Sequence, residues 1–430
     1  MRKWQISTEG PLSLCIAADA RLATPNYFDD QSWELSLEGG DPPALALQTT
    51  YGLRARSMRI FPSFRWGPAR VMDPKQFASP PIIQSILPNY LRLTFKPFAG
   101  LEVSAEYWVP ESHIVAGRFT IRNLESHARE ARLHLHAILR PDEGANAIGE
   151  VTIQGAYALS GRTASLTPVV FLSGGAVVEQ AVYPAMSVRQ ELGAGESKSW
   201  IWAHAALSDQ EDSFNAARSL TVSAWDSEIA RIELVNNSLV DIETGDPAWD
   251  AVLAQAQKAS IGCIVGPTRH LPHPSFVLNR SPDRGYSARG DGKDYDWQWD
   301  GQNAADAYLF LAQILPSAPG IAAGILRNFL AAQMPDGSID WKPGLGGQRN
   351  GALSVPLLAT LAWEIFLWNE ERDFVQEVFK PVLEFFETWF TQKHDQDGDG
   401  FPEWDHTTHA LLDNAPSFVR WHPWGQGLDI

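Results

Sequence analysis

"LRLTFKPFAGLEVSAEYWVP", residues 91–110, reads as two alternating runs joined at a glycine. Successive residues of a strand point to opposite faces, so each run buries one face and wets the other. The next stretch, "IVAGRFTIRNLESHAREARLHLHAIL" (114–139), repeats the pattern. Arg118, Thr120 and Arg122 alternate with Phe119 and Ile121; Leu133, Leu135 and Ala137 alternate with His134 and His136. "SKSWIWAHAAL" (197–207) is a further strand. Short strands at regular spacing, with turn-prone joints and no helices between them, predict an antiparallel β-sandwich over residues 1–240.

The period changes after "DIETGDPAWD" (241–250). Asp246 is placed to cap a helix that has Pro247 in its first turn. In the sequence that follows, Trp249, Val252, Leu253, Ala256 and Ser260 fall on one helical face. Further helical segments are expected at 301–315, 320–334, 352–370 and 372–393, separated by loops rich in Gly, Pro, Asp and Trp. One short strand is expected near Ser338–Trp341. The second domain, 241–430, is therefore an array of helix pairs.

A chain of 430 residues is too long for one ordinary core, which agrees with two domains. A net charge of -17 argues against a nucleic-acid partner and an anionic membrane surface, while a neutral ligand such as a sugar is compatible with it. Two distant cysteines, Cys15 and Cys263, give no disulfide framework and no Cys-based zinc site. The N-terminus lacks a continuous apolar core of the signal-peptide kind, and no run of 18 apolar residues occurs, so a cytoplasmic location is expected. The sequence leaves the oligomeric state open. The 17 tryptophans offer flat apolar faces, which serve equally for core packing and for stacking on sugar rings.

Four loops place polar groups beside aromatics: "NRSPDRGYSARGDGKDYDWQWDG" (279–301), "MPDGSIDWKPG" (334–344), "DQDGDGFPEW" (395–404) and "LLDNAPSF" (411–418). If consecutive helices pack as antiparallel pairs, these loops line one mouth. In 395–404 the side chains of Asp395, Asp397, Asp399 and Glu403, with the carbonyl of Phe401, supply five oxygen groups that suit Ca2+ in a structural role. The position where an EF-hand carries Glu holds His406, so a calcium switch is not expected; a solvated acidic turn is the other reading. Asp413, flanked by Leu411, Leu412, Ala415 and Phe418, reads either as an acid whose proton is retained by an apolar setting or as a helix N-cap before Pro416. Asp300, preceded by Trp297 and Trp299, reads as an acceptor for sugar hydroxyls, as the cap of the following helix, or as both. No nucleophile elbow, P-loop or dinucleotide fingerprint is present.

At these residues the chain resembles glycoside hydrolase family 63. "DWQWDGQNAADAYLFL", "QMPDGSIDWKPG", "DQDGDGFPEW" and "LLDNAPSF" occur in the order of similar motifs there, over roughly residues 270–420. The resemblance implies an N-terminal β-sandwich followed by part of an (α/α)6 barrel and an inverting α-glycosidase acting on α-glucosides or α-mannosides. Asp413 takes the place of the general acid. Trp299 and Asp300 resemble the binders of the sugar at the cleavage point, with Trp297 and Trp341 as further candidate sugar-binding residues, and Asp395–Glu403 is similar to a calcium loop of some members. The chain departs from the family at "SVPL" (354–357), where members often read Ser-Gln-Pro-Pro. About five or six helices fit after Asp246, and no Glu follows Glu403, whereas members carry the catalytic base further on. The expectation is a piece of a longer enzyme, with a glycoside phosphorylase or a non-catalytic sugar-binding protein as alternatives.

Overall fold

The two runs at 91–110 form the strands Tyr90–Phe98 and Leu101–Glu111, paired antiparallel. They belong to a computed structural model that describes residues 14–142, 145–179, 182–296 and 299–403. The chain divides into two compact units, Met1–Asn237 with Asn279–Tyr286, and Ser238–Leu278 with Ser287–Ile430.

The first unit holds two eight-stranded antiparallel sheets. One runs in the order Leu14–Ile16, Trp33–Ser36, Ala46–Thr49, Ala55–Trp66, Arg129–Pro141, Ala185–Leu192, Val177–Glu179, and Ala69–Val71 also pairs with Ala55–Trp66. The other runs Asn146–Ile153, Ala156–Arg162, Thr167–Leu172, Ser197–Leu207, Ile114–Asn123, Leu101–Glu111, Tyr90–Phe98, Ser79–Leu87. Ile60, Phe64, Leu133 and Leu135 of the first sheet pack with Leu93, Val103, Phe119 and Ile121 of the second in one core. The ring of Phe64 meets Phe95 and Phe119 edge-on at 5.6 and 6.2 Å. This is the sandwich predicted from the alternation.

Two helices correct the expectation of strands alone up to residue 240. They are α1 (Gln210–Thr221) and α2 (Trp225–Asn236). Asp209 caps α1 by accepting from the backbone N–H of Glu211 and Asp212. Ala217, Trp225, Ile229 and Ile232 bury against Tyr90, Trp108, Ala203 and Ala205, so the second sheet is covered on both faces there. The segment Asn279–Tyr286, expected in the helical domain, belongs to the sandwich. Arg280 and Asp30, both nearly fully buried, pair through Nε–Oδ2 (2.8 Å) and Nη2–Oδ1 (3.0 Å), and Thr50 Oγ1 donates to the Pro282 carbonyl (2.8 Å).

The second unit contains α3 (Pro247–Gly262), α4 (Ala304–Ile314), α5 (Pro319–Ala331), α6 (Leu358–Asn369), α7 (Arg372–Thr388) and a ribbon of Ile264–Val265 with Ser275–Phe276. Successive helices from α3 to α7 pack on one another. Asp246 does cap α3, accepting from Ala248 N–H. The buried face differs from the expected one: Trp249 and Val252 are exposed, and Ala254, Gln257, Lys258 and Ile261 are buried. Those four also stand at i, i+3, i+4 and i+7. Helix α6 starts six residues later than expected. Trp341 N–H donates to the Ala352 carbonyl (2.8 Å) and Ser354 N–H to the Ile339 carbonyl (2.8 Å), so residues 352–354 pair with the strand-like stretch at 339–341. Among the described residues no helix is long and apolar enough to cross a membrane, and Cys15 and Cys263 form no disulfide.

Candidate functional site

Asp300 stands on a tight turn. Asp300 N–H donates to the Asp296 carbonyl (3.0 Å), and Trp299 N–H donates to Asp296 Oδ1 (3.0 Å). Gly301 follows at φ +76°, where a Cβ would lie 2.4 Å from the Pro343 carbonyl oxygen. Gln302 N–H donates to that same carbonyl (3.2 Å). From the far side Leu345 N–H donates to Asp300 Oδ1 (3.0 Å). A Cβ on Gly344 would fall 2.9 Å from both carboxylate oxygens. Glycine at 301 and 344 therefore lets the two loops close around one carboxyl.

Asp300 is 7% exposed. Burial pushes its carboxyl up to about 6, with the Leu345 N–H and the Lys342 charge opposing the rise. Its Oδ2 has no protein donor among the described residues. Such a group is an acceptor when ionised and a donor when protonated, and it switches between the two near neutral pH. Asp300 is not a helix cap: Asn303 caps α4, its Oδ1 accepting from Asp306 N–H (2.8 Å). Gln302 is structural, accepting from Ser275 Oγ (2.9 Å) and donating to the Ile325 carbonyl (2.7 Å).

Trp299 and Trp341 are 2% and 3% exposed, and Trp299 packs on Tyr295 with ring centroids 4.3 Å apart. Both rings are buried, and neither presents an open face. Trp297 and Asp413 lie outside the described residues.

The 334–344 loop serves two places. Its second half folds onto Asp300. Its first half turns at Gly337, where Gln333 Nε2 donates to the Gly337 carbonyl (2.9 Å) and a Cβ on Gly337 would lie 2.8 Å from the Glu384 carbonyl oxygen of α7. A cavity of about 630 Å³ lies there, lined by Gln333, Asp336, Glu384, Glu387 and Thr391. The acidic loop follows α7. Asp395, Asp397 and Asp399 each bring one carboxylate oxygen within 4.8 Å of the others. Opposed ligands of a Ca2+ ion at 2.3–2.6 Å stand about 5 Å apart, so the three fit one ion. Glu403 is outside this cluster, its carboxylate accepting from Gln396 N–H (3.1 Å), and Phe401 is exposed.

Sequence reasoning did not single out Lys342, Gly344 or Leu345, the groups that set the state of Asp300. The signal was the "WKPGLGG" run (341–347), whose glycines mark close backbone approach. Of the expected common mouth, two of the four loops meet: Asp300 meets Gly344 and Leu345, and Asp291 and Gly292 meet Gly346 and Gln348, while the stretch 411–418 lies outside the described residues.

No family model matches the chain, and no curated protein matches it. Solved structures similar to it include a protein described as a kojibiose phosphorylase from human microbiome, at 10% identity, covering 84% of this chain and 50% of that one with a TM-score of 0.45. A bacterial glucoamylase complexed with acarbose is similar at 10% identity, covering 90% of this chain and 61% of that one with a TM-score of 0.42. A galactose mutarotase related enzyme from Lactobacillus acidophilus is similar at 6% identity, over 43% of this chain and 96% of its own, with a TM-score of 0.28. This chain spans half the length of the first neighbour and 61% of the second. Similarity at this level does not carry an activity across.

Proposed function

We propose that the chain carries the sugar-binding part of a glycosidase-type enzyme that acts on α-glucosides or α-mannosides. The observation that supports it is Asp300, a buried carboxyl with one oxygen fixed by Leu345 N–H and the other left for a ligand hydroxyl, in a loop cluster that also holds Trp299, Trp341 and Lys342. A carboxyl oxygen without a protein partner is suited to a hydroxyl of a polyhydroxylated neutral ring. On this reading the helices of the second unit are part of an (α/α)6 barrel, and Asp413 protonates the leaving glycosidic oxygen, a role that rests on the family resemblance alone. Inversion then requires a base that activates water on the opposite face, with the two carboxyls roughly 6.5–9.5 Å apart. That base is not identified in this chain.

The Asp395, Asp397 and Asp399 carboxylates would hold a structural Ca2+, neutralising three charges that otherwise repel in one turn. Chelator is expected to lower the Tm and added Ca2+ to restore it; an unchanged Tm, with no metal by elemental analysis, counts against the ion.

The activity test uses the complete protein with an α-linked disaccharide and an activated aryl glycoside, with and without inorganic phosphate. Free sugar released without phosphate supports hydrolysis. Release that needs phosphate and yields sugar 1-phosphate supports the phosphorylase alternative, and saturable binding without either supports a non-catalytic protein. Asp413→Asn should lower turnover of the disaccharide by roughly 10²–10⁴-fold and that of the aryl glycoside much less. Equal rates for variant and wild type on both substrates would leave Asp413 as a cap.

A further inference from the structure

The outer face of the first sheet carries polar groups for which the sugar site has no use. The strand Ala69–Val71 pairs with Ala55–Trp66, which pairs with Arg129–Pro141, and the register sets Arg70, Arg65 and Arg132 in one row across the three strands. Like charges directly opposite each other on a sheet repel. Arg132 is compensated, its Nη1 donating to Glu179 (3.0 Å) and its Nη2 lying 3.5 Å from Glu130. Arg65 donates to the Gly67 carbonyl (3.0 Å). Arg70 meets no carboxylate among the described residues. Its Nη2 lies 3.4 Å from Ser63 Oγ and 3.3 Å from His136 Nε2.

His136 supplies no counter-charge. It is 1% exposed, and burial, with the charges of Arg70 and His134 adding to it, pushes its imidazole down to about 4. It is neutral at pH 7, and Ser63 Oγ sits 2.9 Å from its Nε2. These groups open on a cavity of about 350 Å³ lined by Arg70, His136 and Tyr183, together with Met72, Asp73 and Gln76. The carboxylate of Asp73 already accepts from Lys75 N–H (3.0 Å).

We propose that this cavity binds a small hydroxylated molecule bearing an oxyanion, a carboxylate or a phosphate, with Arg70 as its charge partner. A guanidinium presents a planar fork that matches such a group in two parallel hydrogen bonds. Gln76 and Asp73 offer a donor and acceptors to hydroxyls. The volume lies at the small end of ligand pockets, which fits one ring and excludes a folded partner. The chain as a whole is strongly acidic, so anion attraction at this place comes from Arg70 and not from the overall field.

The test follows the imidazole NMR signals of His136 in the whole chain during titration with D-glucuronate, glucose 1-phosphate, inorganic phosphate and glucose. D-glucuronate or glucose 1-phosphate should shift them saturably and bind more tightly than either inorganic phosphate or glucose, and the tighter of the two names the oxyanion. Arg70→Ala should weaken that binding roughly tenfold or more. Arg70 is exposed, so its loss should leave the Tm close to that of wild type, and Arg122→Ala, on the other sheet, should bind as wild type does. The proposal is overturned if glucose or inorganic phosphate binds as tightly as the tighter of the two sugar acids, if Arg70→Ala binds that sugar acid unchanged, or if nothing saturates below about 10 mM.

Discussion

The strand Arg129–Pro141 and helices α6 and α7 treat their second faces in opposite ways. On the strand, Leu133, Leu135 and Ala137 are buried in the core, yet His134 and His136 on the other face are also only 3% and 1% exposed. Arg70 lies within reach of His136 Nε2 (3.3 Å) and Glu179 of His134 Nε2 (3.0 Å). On α6 and α7, large apolar side chains stay in water: Trp363 is 57% exposed and Phe379 63%, beside an apolar groove of about 590 Å³. At residues 133–137 the strand is thus covered on both faces, whereas the helices bury Leu361, Ile365, Phe374 and Phe385 and, among the described residues, leave a second apolar face exposed. Alternation in a sequence reports the core face of a strand, and it does not report whether the polar face will be covered.

The contrast predicts a graded set of effects. Phe64→Ala in the sandwich removes a ring that contacts Phe77, Phe95 and Phe119, and should cost about 3–5 kcal/mol in denaturant unfolding. A cost below about 1 kcal/mol would mean that the two sheets are not packed as described.

Asp300→Asn comes next, with the opposite sign. The folded carboxyl is raised to about 6 from an ordinary 3.8, so its contribution to stability is fully present below the ordinary value and is lost as pH rises through 6. Above that window the buried anion costs up to about 3 kcal/mol. Asparagine removes the charge and keeps an oxygen for Leu345 N–H. The variant should therefore be more stable than wild type at pH 8 and equal to it near pH 3, as read by unfolding at both values. A wild type that is more stable than the variant at pH 8 would show that the carboxylate is well compensated.

The smallest effect is expected at Phe379→Ser, within roughly 0.5 kcal/mol, because the ring is mostly in water already. A loss comparable with that of Phe64→Ala would show that the α6–α7 face is covered in solution, and would erase the contrast between sheet and helices.

The strands at 91–110, 114–139 and 197–207 were legible because period-two alternation over ten residues has one structural solution. Helix α3 was legible at its start, through Asp246 and Pro247, but not in its facing, because Trp249–Val252 and Ala254–Ile261 both satisfy helical spacing. Helix α1 carried a readable cap at Asp209 and α2 carried none, and both were hidden by the strand grammar around them. At the site, Asp300 stood out as an acid among aromatics. Its environment did not, since Leu345 and Gly344 lie more than forty residues along the chain and act through backbone groups that side-chain identity does not encode. The pairing of Arg280 with Asp30, 250 residues apart, was illegible for the same reason of distance.

The most direct test is the titration of Asp300 itself, by carbon-13 NMR of its labelled carboxyl, with Asp300→Asn identifying the signal. The account predicts a midpoint near 6, moved by a bound α-glucoside or α-mannoside whose hydroxyl meets Oδ2. A midpoint in the ordinary aspartate range near 4, insensitive to either sugar, would contradict it.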